Sequence, residues 1–125
     1  MKRTFFVTTG IAAAMIAVPA LAHHSHAMFD FTKKVALEGT VKEFKWTNPH
    51  SWLHVMAANE RGEIVEFAFE MGAPTGLLSR GWRPNTVTPG DKVTVSFYPT
   101  KTGSPGGSLT GIKLPDGTIM GEQYD

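Results

Sequence analysis

Between Val35 and Trp46 the apolar positions change parity. Val35, Leu37 and Val41 share one parity with Gly39 between them, whereas after Lys42-Glu43 the apolar residues are Phe44 and Trp46. Strand side chains alternate between two faces, so a pattern that slips by one residue cannot describe one flat strand with one buried face. A β-bulge makes such a slip and bends the strand, letting its two halves serve two parts of a closed sheet. A folded domain that begins in this way is predicted to be a small barrel.

The rest of the pattern agrees. Ser51 to Ala57 alternates as a second strand, Asn59-Glu60-Arg61-Gly62 is a hairpin loop, and Ile64 to Glu70 is a third strand with Val65, Phe67 and Phe69 toward the core. From Gly72 to Trp82 the alternation stops. Pro74 suits a first helical turn and Gly81 a stop, so one short helix is expected there. Thr88-Pro89-Gly90-Asp91 is a turn that launches Lys92 to Tyr98, where Val93, Val95 and Phe97 alternate cleanly. Pro99 to Ser108 is rich in Gly, Ser, Thr and Pro and reads as a flexible loop. Leu109 to Leu114 is a fifth strand, Pro115-Asp116-Gly117 a turn, and Ile119-Met120 a short return. The expected fold is all-β: a five-stranded OB-like barrel over residues 35–125, with one short helix between strands three and four.

The front of the chain reads as an export signal. Lys2 and Arg3 supply the positive start, Phe5 to Val18 is largely apolar, and Ala20-Leu21-Ala22 has the small-x-small pattern of a cleavage site. The apolar run is short for a membrane span, so residues 1–22 are expected to be removed, with no span after cleavage. That leaves 103 of the 125 residues, with 23–34 forming a histidine-rich lead-in. Cleavage also takes Lys plus Arg from 12 to 10 against 11 acidic residues. Such a balance argues against nucleic-acid binding, which would need a basic patch. Cysteine is absent, so disulfides and thiolate metal sites are excluded.

Two features carry chemistry. One is Lys45-Trp46-Thr47-Asn48-Pro49-His50-Ser51-Trp52-Leu53-His54, with two of the three tryptophans and two of the five histidines. Asn-Pro begins a turn, which puts His50 where the turn becomes a strand. His50, Trp52 and His54 should then share one face, with Ser51, Leu53 and Val55 on the other. The second is His23-His24-Ser25-His26, which cleavage after Ala22 would place at the amino terminus.

These residues also resemble a family of small exported bacterial proteins of unknown function. His23-His24-Ser25, Phe29-Asp30, Gly39-Thr40-Val41 and Trp46-Thr47-Asn48-Pro49-His50 carry the resemblance. Phe69-Glu70, Pro74, Arg80-Gly81-Trp82, Pro89-Gly90-Asp91 and Asp116-Gly117 fit it too. It implies a periplasmic OB-like domain and brings no established activity. His26 and His54 depart from the pattern.

A terminal His23 could chelate one ion through its α-amine and its own ring, and a further histidine would complete a nitrogen set suited to Cu(II). His50 is the expected third ligand, with His24 and His26 as competitors. His54 lies about 13 Å along the strand from His50, too far to share its ion. Met28, Met56 and Met120 are soft donors that more often fill cores. The expected function is therefore a periplasmic metal-binding protein, with copper as the expected metal, for storage, delivery or tolerance. The alternative is a non-enzymatic interaction module that holds an envelope protein or glycan through Trp52 and Trp82, although large aromatics usually fill a small barrel's core. No enzyme signature is present. Glu66 and Glu70 read as a solvated strand face, no serine sits in a G-x-S-x-G elbow, and the glycine-rich loop Gly103 to Gly107 lacks the lysine of a phosphate cradle.

Overall fold

The computed structural model describes residues 25–124. A one-turn helix α1 (Ser25–Met28) precedes β1 (Val35–Lys45), β2 (Trp52–Ala58) and β3 (Ile64–Glu70). A short helix α2 (Pro74–Ser79) follows, then β4 (Lys92–Pro99), β5 (Gly106–Lys113) and β6 (Ile119–Gly121). The sheet order is β3-β2-β1-β4-β5-β6, and β3 also pairs with β5, which closes five strands into a barrel and leaves β6 outside it.

The parity slip in β1 is the bulge that the sequence predicts. Val35 to Thr40 pair with β4, Thr40 to Lys45 pair with β2, and the register shifts between Val41 and Glu43. Val41 is pinned at the crossover: its N–H donates to Asp91 O at 2.8 Å and its carbonyl accepts from Gly90 N–H at 2.8 Å. Residues on both sides of the bulge, Leu37 and Val41 before it and Phe44 and Trp46 after it, therefore reach the same core. Ser51, just before β2, and Leu53, Val55 and Ala57 within it are buried, while Trp52, His54 and Met56 lie half-buried on the outer face. That core continues through Phe69, Val95, Phe97 and Ile112, and α2 adds Leu77 from one side. Pro74 opens α2 where its missing N–H costs nothing, and Gly81 (φ 90°) ends the helical region in a conformation that glycine adopts freely.

One boundary differs from the sequence reading. β5 begins at Gly106, not Leu109, so the end of the expected flexible loop is strand. Gly106 and Gly107 pair in parallel with Ala68 and Phe69, and Gly107 also pairs antiparallel with Pro99. Two backbones crowd this seam from opposite sides. A Cβ on Gly106 would be driven into the Ala68 carbonyl, and one on Gly107 into the Tyr98 carbonyl. Glycine here permits close approach of three strands, a use that local sequence cannot separate from turn chemistry. The loop itself is internally bonded, with Thr100 Oγ1 donating to Ser104 O at 2.8 Å. The short return is a strand as well, pairing Ile119 to Gly121 with β5.

Gly107→Ala should destabilise the barrel by about 1–3 kcal/mol or more in chemical denaturation, since neither neighbouring strand can retreat. Gly103→Ala, where no atom lies within 4 Å of the added Cβ, should cost only the left-handed backbone penalty of about 1–2 kcal/mol.

Candidate functional site

The Asn48–Pro49 peptide is cis, and Thr47 Oγ1 donates to His50 O at 3.0 Å across the turn. Ser51 N–H then donates to Gly72 O at 3.0 Å, and Met71 N–H to Ser51 O at 2.9 Å. These bonds extend the β2–β3 ladder past the ends of both strands and fix His50 against the chain leaving β3. His50 Nδ1 lies 2.9 Å from Met71 O and 3.2 Å from Glu70 Oε1. A carbonyl can only accept, so Nδ1 carries the proton, and in the neutral ring Nε2 keeps its lone pair. Among the described residues nothing hydrogen-bonds that nitrogen. Metal-binding histidines are commonly held in this way, with one ring N–H on a carbonyl or carboxylate and the other nitrogen open.

Glu70 is the residue that the sequence reading missed. The expected solvated pair of Glu66 and Glu70 splits: Glu66 is exposed, while Glu70 is buried at 9%. In register it stands opposite Trp52 on β2 and Ser108 on β5, at the closing seam of the barrel. The hairpin loop could have located its Trp52 partner. Its burial depends on β5 and the amino-terminal segment, which local pattern does not place.

His50, Glu70 and Arg80 line a cleft of about 380 Å³ walled by Phe29, Phe31 and Leu109. The lead-in to the barrel is held beside this cleft: Lys101 N–H donates to Met28 O at 2.8 Å, Asp30 N–H donates to Pro99 O at 2.9 Å, and Phe29 bridges Thr100. Phe29 is buried, whereas Met28 is 52% exposed and so is not core filler. His23 and His24 lie outside the described residues, and His26 falls within α1.

His54 belongs to a different cluster. Its Nδ1 lies 2.8 Å from Glu66 Oε1, and Lys42 Nζ, at the bulge, lies 2.6 Å from Glu66 Oε2. The bond from Lys42, then that from His54, holds the Glu66 carboxyl below its usual range, and Glu66 in turn raises Lys42. His50 and His54 thus share a strand face but no partner. Among the described residues no three His, Cys, Asp or Glu side chains are grouped to hold a metal ion. The tryptophans separate too. Trp82 is 5% exposed and packs near Phe44 in the core, with ring centroids 5.9 Å apart, so it is not available as a surface platform. Trp52 stays half-buried on the outer face.

Fold and site together define a closed OB-like barrel with a histidine–carboxylate cleft at its seam. The chain belongs to the family of unknown function DUF6152, which matches residues 12–110. No curated protein and no solved structure matches it.

Lys42→Met should raise the Glu66 midpoint toward the ordinary glutamate value of about 4.5, read by carboxyl NMR titration. Because the folded Glu66 value is depressed, the stabilisation from this carboxylate's protonation equilibrium is complete above the ordinary glutamate value and is lost as pH falls through the folded one. Trp82→Ala should cost about 3–5 kcal/mol in denaturation, as for other buried aromatics, and Trp52→Ala clearly less.

Proposed function

We propose that this is an exported, periplasmic, non-enzymatic copper-binding protein, serving storage, delivery or tolerance. The ion is held by the amine and ring of His23, with His50 Nε2 from the barrel as third ligand and His24 or His26 as competitors. The observation that carries this reading is the placement of Phe29 in the same cleft as His50. His23 precedes Phe29 by six residues, and with Ser25–Met28 in the α1 turn that stretch spans up to about 15 Å, so the terminus has the reach to return to the cleft. His50 is suited to its part because Met71 O holds the Nδ1 proton and leaves Nε2 as donor. His54 is not, since its partners are Glu66 and the Lys42 cluster.

Nitrogen ligands in a planar set favour Cu(II), which also tops the divalent affinity order. An α-amine has an unperturbed pKa near ~8 and must lose its proton to bind, so affinity should fall in acid. The interaction-module alternative now rests on Trp52 alone, because Trp82 is in the core.

Competition titration against a copper chelator near pH 7 tests the reading. The protein beginning at His23 should bind one Cu(II), and one residue added before His23 should weaken binding by orders of magnitude while keeping every side chain. His50→Ala should weaken it by about 10- to 100-fold or more, and His54→Ala little. Equal affinity of the native and extended termini would reject the site.

A further inference from the structure

Glu70 poses an electrostatic problem that His50 does not solve. Its side chain is 11% exposed, and among the described residues its only ion-pair or hydrogen-bond neighbour is His50 Nδ1 at 3.2 Å. The proton on that nitrogen points to a second acceptor, Met71 O, which is closer at 2.9 Å. A carboxylate taken out of water is costly unless a cation or several donors compensate it. Arg80 lines the same cleft from its exposed rim, and no carboxylate among the described residues lies within 4.0 Å of it. Its Nε donates to Gly76 O at 3.2 Å, and its Nη2 lies over Gly72, where an added Cβ would meet it at 2.8 Å.

Opposite charges therefore line one cleft without neutralising each other. A metal ion alone would satisfy Glu70 and make no use of Arg80. A simple anion would suit Arg80 and be repelled by Glu70. Both charges are engaged by a molecule that carries an ammonium and a carboxylate together. Phe29, Phe31 and Leu109 line the cleft and give it an apolar wall. At about 380 Å³ the cleft lies in the range of small-molecule sites and exceeds what one ion fills.

We propose that this cleft binds a free α-amino acid as its zwitterion, with the ammonium on Glu70, the carboxylate on Arg80 and an apolar side chain against the phenylalanines. The proposal does not rest on the copper reading. Its test is run with EDTA present, so the failure of one leaves the other standing.

Isothermal titration of the protein with L-phenylalanine, 3-phenylpropionate and 2-phenylethylamine separates the charges. A charged hydrogen bond lost with either group predicts at least about tenfold weaker binding of each single-charge analogue. Glu70→Gln should bring L-phenylalanine within about twofold of 3-phenylpropionate, and Arg80→Gln should bring it within about twofold of 2-phenylethylamine. Each comparison is internal to one folded variant, checked by circular dichroism. Absence of saturable L-phenylalanine binding, equal binding of the three ligands by the unaltered protein, or discrimination that survives both substitutions would overturn the proposal.

Discussion

Everything in this molecule hangs on three parallel pairs between β3 and β5: Ala68 with Gly106, Phe69 with Gly107 and Glu70 with Ser108. Without them the five strands would be an open sheet with two free edges, and a chain of this length has little other means of covering its core. The seam is short because β3 diverges from β5 below Ala68, and it is tight because glycines let two backbones approach a third. It also ends at Glu70. The last pair that closes the barrel is the one that carries a carboxylate out of water and sets it beside His50, so closure and candidate chemistry share a residue.

Much of this architecture was legible in the residues. The parity slip at Lys42-Glu43 announced the bulge because alternation is a local property, and the bulge alone requires β1 to face two neighbours. Pro74 and Gly81 marked the helix for the same reason. The beginning of β5 was hidden, because Gly106-Gly107 reads as loop by composition and is strand by tertiary contact. At the site, the strand parity that puts His50 and His54 on one face was visible, whereas their separate partners were not. Glu66 and Glu70 look alike in sequence, four residues apart on one strand face. What distinguishes them is that β5 and the Phe29–Phe31 segment come past one and not the other.

The contrast between the two histidine clusters illustrates how a barrel uses its outer surface. His54, Glu66 and Lys42 form a surface chain, half-buried at His54, in which each charge is met by its neighbour, and such a chain mostly tunes local pKa values. Glu70 is more deeply covered than Glu66, and its compensation is thinner. Partly unmet polar groups in a cleft are a familiar mark of a binding site, because a ligand supplies what the fold withholds.

The loop from Thr100 to Ser104 has a further role as a mount. Its base holds the lead-in at both Met28 and Asp30, so the position from which the amino-terminal segment departs is set by β4 and this loop, not by β1, its neighbour in sequence. The two surface loops should thus differ in what they tolerate. Residues inserted into the Asn59–Gly62 hairpin lengthen a neighbouring tip that, among the described residues, makes no backbone hydrogen bond to the lead-in. Residues inserted beside Lys101 would move the origin of the tail relative to His50, so the length of this loop works as a spacer between the two ends of the proposed metal site.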